Sequence, residues 1–223
     1  MLVWLAAMLS ASCAGAQSGA IQPAKPPEKP SVAAAAAPPP VQRAPANAAE
    51  IVIFGFEGSL EGWAIPDWAK ASADNVGLSC QVSDAKADQG MTSMEIQTDF
   101  PGGRWTGAYV ERETEVTNWT AFGTLSVDVF LPEAAPEGLG GKIILTVGDQ
   151  WEWTEMNRTI PLKPGAWTTI AVSLKRYSMD WKFFPEDEFR KSIRKIGVRI
   201  ESNREPVYRG PVYLDNIRLA EHL

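Results

Sequence analysis

The chain has few of the residues on which catalytic and redox sites depend. Its 223 residues include a single histidine, His222, so zinc sites and catalytic triads lack their usual ligand or base. Of its two cysteines, Cys13 and Cys80, only the second lies in the expected folded domain, and we therefore expect no disulfide there. The motifs G-x-S-x-G, H-E-x-x-H and G-x-x-x-x-G-K do not occur. These absences disfavour the common hydrolase and nucleotide-binding mechanisms.

Positive charge is also scarce. The formal net charge is −6, and Lys and Arg form no sustained run, whereas nucleic-acid binding needs a basic surface. The apolar run at 2–16 is shorter than the roughly 20 residues of a membrane-spanning helix. It ends in Ala14-Gly15-Ala16, the A-x-A pattern of a cleavage site. We predict a signal peptide at 1–16, no nucleic-acid partner and no transmembrane span.

The next segment is rich in alanine and proline, as in "PAKPPEKPSVAAAAAPPP". Such a composition cannot bury enough apolar surface to offset the entropy lost on ordering. We predict a disordered linker at 17–50 and a single domain at 51–223. This organisation predicts a secreted, periplasmic or envelope-associated protein, with a lipid anchor on Cys13 as the alternative to free secretion.

Short runs of alternating apolar residues fill most of the predicted domain. In 124–131, Leu125, Val127 and Val129 share one side of a strand because successive side chains point to opposite faces. Turn residues separate about ten such runs, and no regular alternation of strands with helices appears. The pattern predicts an all-β, two-sheet jelly-roll sandwich with one short surface helix near 185–193. The predicted strands are 51–56, 77–82, 93–98, 105–113, 124–131, 142–148, 151–160, 167–174, 195–201 and 211–219.

The ends of the domain carry its most specific motifs. These are "IVIFGFEGSLEGW" at 51–63 and "GPVYLDNIRL" at 210–219, with "MTSMEIQTDF" at 91–100 and "GAWTTIAVSL" at 165–174 between them. Together they resemble the strands of the galactose-binding-like jelly rolls, which include many bacterial carbohydrate-binding modules. The resemblance covers essentially all of 51–219 and implies that fold and a carbohydrate-binding function.

The resemblance further implies a structural calcium beside the first and last strands, which are neighbours in that group. Glu57 and Asp215 match the acidic positions, and Asp88 lies in the loop 84–90 that commonly adds oxygen ligands. Calcium takes about 6–8 such oxygens. The alternative is that Glu57 is an exposed turn acid and that Asp215 accepts hydrogen bonds from the backbone of a neighbouring loop.

A binding surface is predicted from "GDQWEWTEMNRTIPL" at 148–162, where Met156 and Ile160 are expected to face the core. Trp153, Glu155 and Asn157 then face outward. Sugars suit such a surface because their C–H faces stack on aromatic rings, while their hydroxyls need fixed polar groups. The outward sides of other strands add further candidate ligand-binding residues: Trp105, Tyr109, Glu111, Arg199 and Glu201.

The remaining tryptophans have structural explanations. We expect Trp63, Trp68 and Trp167 to be structural, and Trp151 to cover the end of a sheet. For Trp181, which lies in an aromatic loop, two roles stay open: it closes a groove, or it caps the core.

The leading hypothesis is a non-catalytic module that binds a polysaccharide or oligosaccharide along an aromatic and acidic groove. A separately encoded carbohydrate-active enzyme is the expected protein partner, because such modules usually accompany an enzyme. The alternative is a protein-interaction or assembly domain of the same fold, in which this face docks a polypeptide. A glycan-active enzyme that uses paired acids such as Glu111 and Glu155 is less favoured, because no spacing defines such a pair.

Overall fold

The computed structural model describes residues 49–183, 186–203 and 205–221. The predictions of a signal peptide, of a linker up to residue 48 and of a lipid anchor on Cys13 lie outside these residues. In the ranges that are described, no helix combines the length and the apolar character needed to cross a membrane.

Two antiparallel sheets form the domain, so the predicted two-sheet jelly-roll sandwich is confirmed. Sheet A contains β1 (Glu50–Phe54), β2 (Gly77–Ser83), β3 (Ser93–Pro101), β5 (Phe122–Leu131), β9 (Ala166–Ser173) and β11 (Val207–Glu221). Sheet B contains β4 (Thr106–Glu113), β6 (Leu139–Val147), β7 (Glu152–Glu155), β8 (Ile160–Pro161) and β10 (Ile193–Ser202). The two short helices of the described chain are α1 (Asp67–Lys70) and α2 (Asp187–Lys191).

The strand order places the two ends of the domain side by side. Sheet A runs β2-β3-β11-β5-β9, and β1 also pairs with β11; sheet B runs β4-β10-β6-β7, and β8 pairs with β6. Ile51 of β1 lies opposite Leu219 of β11. The first and last strands are therefore neighbours, as the sequence resemblance implied.

The core lies between the sheets. Leu125, Val127 and Val129 of β5 face it from sheet A, and Val198 and Ile200 of β10 face it from sheet B, all buried. Each such side chain stabilises the fold by about 1.5–3 kcal/mol. The alternation that buries these residues turns their neighbours outward, and this fixes which side chains can form a surface site.

The predicted strand at 151–160 is interrupted. The chain leaves sheet B after Glu155, and Met156 forms an isolated bridge with Trp181 before β8 begins at Ile160. The side chain of Met156 is buried, as predicted.

The helices also differ from prediction. The surface helix is shorter than 185–193, because Ile193 already belongs to β10. Helix α1 was not predicted, although Pro66 precedes it and Asp67 and Lys70 lie at the ends that suit their charges. Its single turn is too short to show a helical period.

Candidate functional site

The outer face of sheet B brings most of the predicted site residues together. Arg199 of β10 lies opposite Tyr109 of β4 and Lys142 of β6, while Glu155 of β7 lies opposite Ile144 of β6. Cross-strand partners share a face of a sheet. The predicted register is therefore confirmed for Tyr109, Glu111, Trp153, Glu155, Arg199 and Glu201.

Four tryptophans are exposed around this face. The exposed fractions are 51% for Trp68, 41% for Trp105, 50% for Trp151 and 39% for Trp153. Trp68 and Trp153 meet above Tyr109, with ring-centroid distances to Tyr109 of 4.8 and 5.4 Å. We call the surface formed by these four tryptophans and Tyr109 the tryptophan groove.

An open cavity of about 110 Å³ lies within the groove. Aromatic rings and polar groups line it together: Trp68, Trp105, Tyr109, Trp153, Asp74 and Arg199. A larger cavity of about 310 Å³, lined mainly by apolar residues of β6, β7 and α2, adjoins the other side of Trp153. Both cavities combine aromatic rings with a charged group, Glu152 in the larger one and Asp74 and Arg199 in the smaller one.

Tyr109 forms the floor of the groove. Although it points outward, it is only 3% exposed, because Trp68 and Trp153 cover it. Burial and the nearby Glu111 carboxylate raise the pKa of Tyr109 well above its ordinary value, so the hydroxyl stays protonated.

The position of the Tyr109 ring depends on Gly197. A Cβ atom at residue 197 would lie 2.1 Å from the Tyr109 hydroxyl oxygen and 2.6 Å from Cζ. We expect Gly197→Ala to displace Tyr109, to lower stability by about 1–3 kcal/mol and to weaken ligand binding, as measured by thermal unfolding and titration. Gly55→Ala is the matched control, because its Cβ would make an ordinary 3.7 Å contact with Cγ1 of Val52. Wild-type stability in Gly197→Ala would contradict this role.

Glu155 is the centre of an ion-pair network on the same face. Arg199 Nη2 lies 3.0 Å from Glu155 Oε2, Lys142 Nζ lies 3.6 Å from Oε1, and Lys182 also contacts Oε1. Arg199 Nε donates to Glu201 Oε2 at 2.8 Å. Burial by itself would raise the pKa of Glu155, but Lys182, Arg199 and Lys142 together hold that pKa below its ordinary value.

Cations also lie over the rings at both ends of the groove. The Arg199 guanidinium is 5.2 Å from the centre of the Trp105 ring, and Lys195 Nζ is 5.5 Å from that of Trp151. Lys195 also pairs with Glu111 at 2.8 Å. These cation–π contacts hold both rings against the sheet.

Asn157 supports the site from beside it. It follows the end of β7, and its side-chain amide donates to the carbonyl oxygens of Met179 at 2.7 Å and Trp181 at 2.8 Å. Both amide hydrogens are therefore used within the protein. They hold the segment that carries Lys182.

The structure places Trp68 at the edge of the groove. It was expected to be structural, but α1 presents it to the groove while the neighbouring Ala69 is buried. Trp151 is half-exposed above Lys195, so its ring is open to a ligand and is more than a cover for the end of the sheet. The chain has nine tryptophans. Trp68 lies on a single helical turn that was not predicted, so no periodic pattern in the sequence singled it out as a groove residue.

The other tryptophans in the described ranges are structural. Trp63 is buried, as predicted, and Trp181 caps the core with its indole N–H donating to the Ser173 carbonyl oxygen at 2.8 Å. Trp167 is half-buried on sheet A, where its ring centre lies 5.4 Å from that of Phe130.

Two of the acids predicted to bind calcium accept hydrogen bonds from the backbone of loop 84–90 and the residue that follows it. Asp215 Oδ2 accepts hydrogen bonds from the backbone N–H groups of Asp88 at 2.8 Å and Gln89 at 3.1 Å. Glu57 accepts one from the N–H of Met91 at 3.1 Å. Burial raises the pKa of Asp215, although these N–H groups act in the opposite direction.

In this arrangement Asp215 Oδ2 already accepts two N–H groups, with which a calcium ion would compete for that oxygen. No cluster of three or more candidate metal-ligating side chains is found among the described residues. We expect the same unfolding temperature in excess calcium and in excess chelator. A rise in calcium would show that loop 84–90 rearranges around the ion, as the sequence resemblance implied.

No protein-family model matches the chain, and no curated protein sequence does. Solved structures match it in fold. One is a carbohydrate-binding module of the β-sandwich superfamily, described as promiscuous in specificity, with 18% identity and a TM-score of 0.50. The match covers 74% of this chain and 60% of that chain, so this chain spans less than two thirds of its length.

Two further modules match over nearly their full length. A family 28 module specific for non-crystalline cellulose has 14% identity and a TM-score of 0.56, with 77% of this chain and 95% of that chain covered. The family 11 module of a cellulosomal cellulase from Clostridium thermocellum has 16% identity and a TM-score of 0.52, with 79% and 97% covered. The chain therefore has the fold of the β-sandwich carbohydrate-binding modules.

Proposed function

We propose that this protein is a non-catalytic module that binds a polysaccharide along the tryptophan groove. The observation that carries the proposal is the exposure of four tryptophans, each between 39% and 51%, around one face of sheet B. Apolar surface gathered in this way indicates a binding site. Sugar rings suit it because their C–H faces pack on aromatic rings.

Polar groups lie beside the rings, where a stacked sugar needs them. The Arg199 guanidinium and the Asp74 carboxylate line the same cavity as Trp68 and Trp105. Charged groups make stronger hydrogen bonds with hydroxyls than neutral groups do. The cavity thus offers rings on which a sugar can stack and charged groups that can orient its hydroxyls.

The groove is long enough for more than one sugar unit. Trp105 lies over Arg199 and Trp151 lies near Lys195, four residues away on β10. Four residues of extended strand span about 13 Å. An extended chain that crosses the groove would contact both ends.

The charges around the acids support a non-catalytic role. Glycoside cleavage needs one carboxyl group that stays protonated, and its pKa must therefore be raised. The pKa of Glu155 is instead lowered by the surrounding cations, and Glu111 pairs with Lys195. Glu155 is therefore not prepared to donate a proton.

The test is a titration of the purified protein with soluble β-glucans, mannans, xylans and pectins, followed by tryptophan fluorescence. We expect a saturable change with at least one polysaccharide, and the same affinity in a Trp167→Phe variant, which removes a tryptophan from sheet A only. No response from the folded protein across the whole panel would contradict the proposal and favour docking of a polypeptide.

A further inference from the structure

The ion pairs on the groove face share one asymmetry: the cation is always the more exposed partner. The side chain of Lys182 is 54% exposed against 8% for Glu155, and that of Lys195 is 24% exposed against 11% for Glu111. Arg199 is 15% exposed, against 8% for Glu155 and 10% for Glu201. The acids of these pairs lie against the sheet and the cations lie above them, whereas Asp74 in the groove cavity is 51% exposed.

Several ion pairs outside the groove have the opposite order. Asp187 is 47% exposed against 10% for Arg190, and Asp149 is 86% exposed against 34% for Arg194. Other pairs outside the groove keep the order seen in it: Arg209 on sheet A is 78% exposed against 46% for Asp99. Both orders therefore occur outside the groove, in a chain whose net charge is −6. Local charge, and not net charge, sets the field that a ligand meets in a groove.

The cations of these pairs consequently present donors to a ligand. A lysine ammonium has three N–H donors, and pairing with one buried carboxylate leaves donors for a ligand. In contrast, the oxygens of Glu155 already accept from Lys142, Lys182 and Arg199. A ligand that brings its own anionic acceptors fits this distribution better than a neutral one.

We infer that the polysaccharide bound in the tryptophan groove carries carboxylates, as uronate units do; this inference rests on the proposed function. Each end of the groove pairs an aromatic ring with a cation, Trp105 with Arg199 and Trp151 with Lys195. A uronate unit has both a C–H face for the ring and a carboxylate for the cation. The cations would then distinguish acidic from neutral chains that stack equally well.

The clearest test compares ligands that differ in charge alone. Polygalacturonate is compared with its methyl-esterified form, and glucuronoxylan with xylan lacking glucuronate, all with a chelator present to prevent calcium bridging. We expect tighter binding of the acidic member of each pair, and we expect salt to weaken that preference because it screens exposed charges.

Variants locate the preference in the groove. Lys182→Met and Lys195→Met should each weaken binding of the acidic member by roughly two- to fivefold, the range of an exposed ion pair, with a smaller change for the neutral member. Glu113→Gln should strengthen binding of the acidic member, because it removes a negative charge beside Lys195. Glu113 is the exposed cross-strand neighbour of that lysine. Lys86→Met on sheet A is the matched control, since its ammonium lies over Phe130 there.

The outcomes separate this inference from the function on which it rests. Equal, salt-insensitive binding of both members of each pair would overturn the inference and leave polysaccharide binding intact. Binding of no polysaccharide at all, by protein that is shown to be folded, would overturn both. Lys182 pairs with Glu155 and Lys195 pairs with Glu111. If one lysine variant fails to fold, the other therefore still tests the inference.

Discussion

Trp153→Ala is expected to weaken polysaccharide binding by roughly thirtyfold, which corresponds to the loss of about 2 kcal/mol at a central aromatic contact. Trp153 lies at the middle of the tryptophan groove, 5.8 Å from Trp68 and 5.4 Å from Tyr109 between ring centres. Its removal takes away one stacking surface and uncovers the Tyr109 ring. Isothermal titration calorimetry with the best ligand measures the effect.

The fold should largely survive this change. Trp153 is 39% exposed, so its removal mainly costs two aromatic contacts of about 0.5–1.5 kcal/mol each. Thermal unfolding checks this, and Trp167→Ala is the control that removes a tryptophan from the other sheet without touching the groove. Wild-type affinity in Trp153→Ala would show that the ligand binds elsewhere.

Glu155→Ala is expected to lower the free energy of unfolding by about 3 kcal/mol, because it leaves buried cations without their partner. Lys142 is only 7% exposed and depends on Glu155, whereas Lys182 can be solvated. Denaturant unfolding at pH 7 measures the loss. A change below about 1 kcal/mol would show that Lys142 finds another partner or water.

The same network predicts a pH dependence. The cations lower the pKa of Glu155 below 4.5, so its ionised form stabilises the folded state above that pH and the stabilisation is lost as pH falls through the lowered pKa. The difference in stability between wild type and Glu155→Gln should therefore be large at pH 7 and shrink as the pH falls through the lowered pKa of Glu155. If the stability difference did not change with pH, the glutamine variant would be destabilised by altered packing and not by the loss of charge.

Alternation along strands made the orientation of the site predictable, since the side chain after a buried one in a strand must face outward. This placed Trp153 and Arg199 on the correct face. Alternation does not predict what covers an outward residue. Tyr109 is buried on the outer face because Trp68 arrives from α1, far away in sequence.

The ion-pair network could not be predicted from the sequence for the same reason. Lys142, Glu155 and Arg199 lie on three different strands, and their contact depends on the register of β6 with both β7 and β10. The calcium motif stays a prediction. Its acids Glu57 and Asp215 are at the expected place, but the conformation of the neighbouring loop turns N–H groups toward them.

The central claim is that the ligand lies across the tryptophan groove, and the indole N–H resonances of the protein test it most directly. In a ¹⁵N–¹H correlation spectrum recorded during titration with the best ligand, we expect the signals of Trp68, Trp105, Trp151 and Trp153 to shift, while those of the buried Trp63, Trp119 and Trp181 stay in place. Shifts confined to Trp167 on sheet A, with the four groove signals unchanged, would contradict the account.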